Sequence, residues 1–186
     1  MNNINVKGTG VISTKAYVET NYQSQFKAWV NSLPTKSSNI YSKSISAMEW
    51  YPVEEAYYYP LRHIADRFHD GDERKAGLEV GRFSANFGLK GVYKVFLMIA
   101  TPQALMRASK RIISVYFSNT EVKIDDVKKK SLVLSCTRVF TSNELFDYRT
   151  IGWCVRALEL ANCKEVKFSL VKPRYSKMFS VELSWN

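Results

Sequence analysis

Histidine, cysteine and long apolar runs are scarce in this chain, and each scarcity closes off a class of function. Two histidines, His63 and His69, leave little material for a histidine-built metal centre, and no His-Glu-x-x-His pattern surrounds them. The three cysteines, Cys136, Cys154 and Cys163, are odd in number and widely spaced. They fit neither a disulfide framework nor a zinc cluster, so reduced, buried thiols are expected. No apolar run approaches the roughly 20 residues that a membrane-spanning helix needs. The longest stretch, 92–100, is interrupted by Lys94 and followed by Thr101-Pro102. The first residues show no apolar segment of the secretory-signal kind, which points to the cytoplasm. Gly-x-Ser-x-Gly and P-loop patterns are also missing. With no recognisable nucleophile and base, no enzymatic activity is expected, and no metal site is assigned.

What is present is an ordinary globular composition. Apolar residues make up 46% of the chain, charged residues 24% and aromatics 13%. Disorder is therefore not expected, and 186 residues suffice for one domain, residues 1–186, with a single well-buried core. Lysine and arginine (27) outnumber aspartate and glutamate (17). Such an excess favours encounter with nucleic acid, anionic lipid or an acidic protein surface. Three basic groups carry much of it: Arg107-Lys110-Arg111, Lys128-Lys129-Lys130 and Lys172-Arg174-Lys177. Only Tyr175 supplies the interleaved aromatic that single-strand binding would use, so solvated loops are the plainer reading.

The most informative stretch runs from Gly77 to Phe87. It reads as a helix with Gly77, Gly81 and Ala85 recurring every fourth residue on one face, and Ala76, Val80, Phe83 and Phe87 on the next. Each interior glycine costs a helix roughly 1 kcal/mol against alanine. Two at that spacing imply that another backbone, that of a second helix, comes close. Asp72 is placed to cap this helix.

Elsewhere, residues 4–12 read as extended, with Ser13 or Thr14 capping a helix that carries Val18, Tyr22, Phe26, Trp29 and Leu33 to a stop at Pro34. Residues 35–46 read as a loop. Pro52 is expected at a helix start and Pro60 to divide that segment. Thr101-Pro102 opens a further helix bearing Leu105, Ser109, Ile112 and Tyr116. The period then switches to two. Val122 and Ile124, then Leu132, Leu134 and Cys136, predict a hairpin turning at 126–130. A helix with Ile151, Cys154, Val155, Leu158 and Ala161 follows. Two strands end the chain, the last alternating Phe179, Val181, Leu183 and Trp185. This order predicts an α+β domain, with an N-terminal helical part packed on a roughly four-stranded antiparallel sheet.

The arrangement resembles a superfamily containing the haem-nitric-oxide/oxygen-binding (H-NOX) domains, the 4-vinyl-reductase-type small-molecule-binding domains and the TRAPP vesicle-tethering subunits. It is also similar to an uncharacterised bacterial paralogous family prominent in myxobacteria. The residues carrying the resemblance are Lys7-Gly8-Thr9, Trp50-Tyr51-Pro52, Glu79-Val80-Gly81-Arg82-Phe83, Gly91-Val92-Tyr93 leading to Thr101-Pro102, Gly152-Trp153 and the terminal Trp185. They span nearly the whole chain in short motifs. The resemblance implies an H-NOX/TRAPP-like fold, often with an apolar cavity between helices and sheet. It does not imply one activity, since relatives bind haem, small hydrophobic ligands, acyl chains or protein partners.

H-NOX domains hold haem with a histidine on a central helix and a Tyr-x-Ser-x-Arg motif. Here 102–117 contains no histidine, and Tyr175-Ser176-Lys177 lacks the spacing and the arginine. No cofactor is therefore expected; a haem-binding gas sensor, with cysteine or methionine as axial ligand, stands only as a further alternative. The cluster His69, Asp70, Asp72 and Glu73 could hold a cation, with a turn and helix cap as the simpler reading. For a ligand site, the aromatic group Trp50, Tyr51, Tyr57, Tyr58 and Tyr59, with Phe83, Phe87, Tyr93 and Phe96, could line a cavity closed by Arg82 as an anion anchor. The alternative is ordinary core, with Arg82 in solvent or paired with a carboxylate such as Glu79. The functional expectation is a non-enzymatic sensor or adaptor that binds a small apolar or anionic ligand, or a protein partner, between helices and sheet. Basic-patch binding of nucleic acid or anionic lipid is the competing reading, and a homodimer built on exposed helix faces is a third.

Overall fold

Two helices that cross at a distance no side chain would permit divide the molecule into two cores. The computed structural model describes residues 4–89, 101–118, 120–138, 143–175 and 177–186. In chain order the elements are β1 (Asn5–Lys7), α1 (Gly8–Asn21), a 3-10 turn (Gln23–Gln25), α2 (Phe26–Ser32), α3 (Thr35–Tyr41) and β2 (Trp50–Pro52). A π-helical turn (Glu54–Tyr58), α4 (Tyr59–Phe68), α5 (Glu73–Gly88) and α6 (Pro102–Tyr116) follow. Then come β3 (Thr120–Asp125), β4 (Ser131–Arg138), α7 (Glu144–Leu160), β5 (Lys167–Tyr175) and β6 (Met178–Ser184). The fold is α+β, with the helical part first and a four-stranded antiparallel sheet in the order β3-β4-β6-β5.

The sheet follows from the period-two pattern. Leu132, Leu134 and Cys136 on β4 and Phe179, Val181 and Leu183 on β6 are cross-strand partners and all are buried, because alternate residues of a strand share a face. That face meets α7 and part of α5 in one core, with Ile151, Cys154, Leu158 and Trp185. The other core belongs to α1–α4, where Val11, Val18, Trp29, Tyr41, Leu61 and Ile64 are fully buried.

The helices α5 and α7 join the two. Ala76 and Val80 of α5 and Leu145 and Phe146 of α7 enter the N-terminal core, while Ala85, Ile151 and Cys154 enter the other. The glycines set how close they come. A Cβ on Gly81 would overlap the carbonyl oxygen of Arg149, and one on Gly152 that of Leu78; one on Gly77 would lie 2.8 Å from the Leu145 carbonyl oxygen. The expected second backbone is thus α7, and the approach is reciprocal.

Several boundaries differ from the sequence reading. The extended segment shrinks to β1, and α1 starts at Gly8, where a Cβ would overlap the carbonyl oxygen of Ser46. Ser13 and Thr14 lie inside this helix and cap nothing; their hydroxyls bond back to the Gly10 carbonyl (2.9 and 3.0 Å). Residues 35–41, expected as loop, form α3, whose Tyr41 is buried and donates to the Ala56 carbonyl at 2.8 Å. Tertiary burial overrides its weak local propensity. Pro52 ends a strand paired with β1, and Pro60 sits in the first turn of α4, where its missing N–H costs nothing. Asp72 caps α5 as expected, accepting from Lys75 N at 2.9 Å. Thr101 caps α6 through Ala104 N at 3.2 Å.

The glycine crossing generates a direct prediction. Gly81→Ala gains about 1 kcal/mol of helix propensity but forces a methyl group into the α7 backbone, with overpacking of roughly 1–3 kcal/mol or more. A net loss of thermal stability is expected. Gly88→Ala, whose Cβ would meet, among the described residues, only Tyr116 Oη at 3.6 Å, is expected to be neutral or stabilising. Calorimetry of the two variants reads the difference, and equal melting temperatures would refute it.

Candidate functional site

The least ordinary feature of the interior is a guanidinium. Arg149 projects from α7 and is 4% exposed. Its place follows from the helix pattern: Leu145, Arg149, Gly152 and Trp153 recur at i, i+4, i+7 and i+8, so the arginine occupies a position of the inward stripe. Its Nη1 donates to Thr14 Oγ1 at 2.8 Å. Its Nη2 is within reach of the Gly10 carbonyl (3.1 Å), Ser13 Oγ (3.1 Å) and Ser84 Oγ (3.2 Å).

Those hydroxyls are prepared as acceptors. Ser13 and Thr14 direct their protons to the Gly10 carbonyl, and Ser84 can direct its own to the Val80 carbonyl at 2.8 Å. The lone pairs then face the cation. Such back-bonding to the previous helical turn is open to serine and threonine but to no apolar residue. The Tyr57 ring lies under the guanidinium carbon, 4.2 Å from it to the centroid, a cation–π contact that desolvation strengthens. Tyr57 itself is fixed edge-on against Phe117 (4.9 Å between centroids) and packs at a tilt against Phe146 (5.1 Å).

Beside Arg149 is a cavity of about 40 Å³ lined by Tyr57, Ser84, Tyr116, Phe117, Arg149, Thr150 and Trp153. It lies where α5, α6, α7 and the π-helical turn converge, at the seam of the two cores. A water-sized probe needs roughly 10–15 Å³ by the same measure, so the space suits about three such probes. Among the described residues its walls are mostly aromatic, and their polar groups are the guanidinium, the hydroxyls and the Trp153 indole N–H.

Of the residues first considered for a ligand site, Tyr57 lines this cavity, and the others that are described lie elsewhere. Arg82 forms a fork with Glu159 of α7, Nη1 to Oε1 at 2.9 Å and Nη2 to Oε2 at 2.7 Å, and Arg156 joins the same carboxylate at 2.9 Å. Phe83 packs edge-on against Tyr17 (5.5 Å) and stacks with Phe87 (6.2 Å), and Phe87 is partly exposed. Trp50 is an exposed β2 residue beneath Lys7 Nζ (4.6 Å). Tyr51, on the same strand, accepts from Ser46 N at 2.9 Å. None of these five lines the cavity. Tyr93 and Phe96 lie outside the described residues. Conversely, sequence reading passed over Arg149, Ser13, Thr14 and Ser84. The available signal was an arginine on the inward stripe of a helix.

Among the described residues no group of three or more histidine, cysteine or acidic side chains is placed to hold a metal ion. The cluster at 69–73 is dispersed: Asp72 caps α5, Glu73 pairs with Arg62, and His69 Nε2 faces Tyr17 Oη at 3.1 Å. Burial lowers the affinity of the His69 imidazole for a proton, against the opposing charge of Glu79. The three cysteines are free and buried, and burial pushes the Cys154 thiol up to about 12. No helix among the described residues is long and apolar enough to cross a membrane.

No family model and no curated protein matches the sequence. Solved structures do match, over nearly the full length. An H-NOX protein from S. oneidensis, a triple alanine mutant in the Fe(II) ligation state, superposes with a TM-score of 0.74 at 10% identity, covering 97% of this chain and 96% of that one. The S. oneidensis protein in the Fe(II)NO state gives 0.73 at 11%, over 97% and 99%. An Fe(II) unliganded H-NOX mutant from K. algicida gives 0.70 at 13%, over 97% and 96%. The fold is therefore that of the H-NOX proteins, as the resemblance implied.

These neighbours correct one expectation. The chain was expected to take no cofactor, with haem only a further alternative, yet the neighbours are described in Fe(II) states, and another (TM-score 0.66) through modulation of heme redox potential by porphyrin distortion. Haem is thus the group this fold implies. The described residues do not fit it. Among them no histidine, cysteine or methionine lines the cavity, whose volume is far below that of a porphyrin. His63 lies on α4 with Nδ1 3.4 Å from Ser32 Oγ, and His69 is held by Tyr17.

The Arg82–Glu159–Arg156 cluster carries a pH signature. Burial raises the Glu159 carboxyl, but hydrogen bonds from Arg82 and Arg156 outweigh it and hold the group below its ordinary value. A carboxyl depressed on folding stabilises above its unfolded pKa of about 4.3 and loses that contribution as pH falls through the folded value. Because the pair is partly solvated, the effect is of order 1 kcal/mol or less. Glu159→Gln is expected to lower stability slightly at neutral pH and to converge with the unsubstituted protein in acid. Urea unfolding across that range checks it; a constant gap would count against the assignment.

Proposed function

We propose that this domain is a sensor rather than an enzyme, and that it takes a small ligand in the Arg149 cavity. The observation that carries this reading is the position of the cavity, at the seam where α5, α6 and α7 pass between the two cores. An occupant there touches Arg149, Thr150 and Trp153, which lie on the stretch of α7 that Gly81 contacts. Filling or emptying the space changes how the helices pack, and bistable packing rather than smooth deformation is how small shifts are amplified. The lining supports binding rather than chemistry. An arginine does not exchange protons near neutral pH, and no base accompanies the serine, threonine and tyrosine hydroxyls among the lining residues. The likeness to H-NOX proteins, some described with Fe(II) and NO, agrees with a sensing role.

The test is a ligand screen on the purified protein, with melting temperature and tryptophan fluorescence as readouts and a visible absorbance spectrum recorded first. A compound of low mass is expected to raise the melting temperature and to change the emission of Trp153, a wall of the cavity. The fluorescence response, but not the whole thermal shift, is expected to vanish in Trp153→Phe. A porphyrin band in the spectrum would assign haem in place of a ligand at Arg149. A screen that moves neither signal would overturn the reading.

A further inference from the structure

Resting on the reading of the cavity as a ligand site, we propose that the ligand presents a small planar carboxylate to Arg149. Burying a cation without a counter-charge is costly, and proteins almost always pair such a group with a carboxylate. Among the described residues every partner of Arg149 is neutral: one carbonyl, three hydroxyls and an aromatic face. The other arginines with half-buried partners in the same helix pair do have carboxylates, as Arg82 and Arg156 have Glu159. The exception is the arginine that borders a cavity.

Donor geometry agrees. The described contacts engage Nη1 and Nη2, and Nε donates to none of the described residues. A guanidinium has five N–H donors in a fixed plane, so its Nε–H remains available. Arginine binds planar carboxylates in this plane with shorter and stronger hydrogen bonds than neutral acceptors give. The space of about 40 Å³ limits the anion to roughly three or four non-hydrogen atoms, the size of formate or acetate. Tyr57, Tyr116, Phe117 and Trp153 then leave an apolar wall for a hydrogen or methyl group, and among the described residues the lining holds no second cation to call for a dianion. A larger polyanion such as inorganic phosphate is excluded on size and charge.

The probes are sodium formate, sodium acetate, acetamide and sodium chloride, each titrated at fixed ionic strength in a chloride-free sulfonate buffer. Protein labelled with ¹⁵N-arginine reports the Arg149 side-chain Nε–H signal directly, assigned by its absence from Arg149→Lys. Formate or acetate is expected to shift that signal saturably and to raise the melting temperature by roughly 5 °C at a hundredfold excess over Kd. Acetamide, the same shape without charge, is expected to bind at least tenfold more weakly. Arg149→Lys, which keeps the charge but loses the planar fork, is expected to weaken acetate at least tenfold. The melting-temperature titrations use only the unsubstituted protein, so a variant that fails to fold leaves that arm of the test intact. Chloride acting as well as acetate would overturn the proposal in favour of a halide site. Acetamide matching acetate would overturn it in favour of shape without charge. A neutral compound from the wider screen that binds at Trp153 while carboxylates do not would overturn this proposal and leave the sensor reading standing. Silence from every probe and from that screen would remove both.

Discussion

The contact between α5 and α7 is the constraint from which the rest of the architecture follows. Gly81 faces the carbonyl oxygen of Arg149 and Gly152 faces that of Leu78, with no room for a methyl group at either point. Two helices locked at this distance cannot slide without opening a gap that neither has side chains to fill. Each therefore serves as a fixed wall for two cores, the helical one on α1–α4 and the one closed by the sheet. The N-terminal helices and the late sheet are far apart in sequence, and this pair, with α6 and the Val6–Phe117 bridge beside it, ties them together.

The same pair explains how an arginine can be buried. Helix α7 brings Arg149 inward because the turn around it must present small or inward-facing residues to α5. The energetic cost is offset by acceptors that α1 and α5 supply from their own helical turns. Ser13, Thr14 and Ser84 thus do a task that the local sequence does not announce. Their hydroxyl protons go to main-chain carbonyls, and what remains for the interior is a set of lone pairs. The arrangement is neutral as a whole apart from the cation, which is why the neighbouring cavity has chemical character despite its aromatic walls.

Much of the fold could be read from the sequence, for reasons tied to particular residues. The Gly77/Gly81 face demanded a close backbone. The alternation through Phe179, Val181 and Leu183 could only be a strand with one buried face, and 126–130 could only turn. What escaped was decided at long range. Residues 35–41 look like a polar loop until Tyr41 is seen to reach the Ala56 carbonyl. Ser13 and Thr14 look like caps because a cap and a back-bonded serine have the same local appearance. Arg82 looked like an anion anchor because it sits among aromatics, yet Glu159, on another helix, holds both of its terminal nitrogens. Arg149 drew no notice because its acceptors lie up to 139 residues away. The haem expectation was drawn from missing ligands, whereas the neighbours in structure show how far this fold can conserve shape at 10–13% identity.

Arg149 takes part in both of the features that set this molecule apart: its main-chain oxygen is pressed against Gly81, and its side chain borders the cavity. A helix crossing with no room for a methyl group and the buried cation beside the cavity therefore belong to a single amino acid. No relay of intermediates is required to carry news from one to the other. A pull on the tip of that side chain arrives, one residue's length away, at the place where the backbone has no slack.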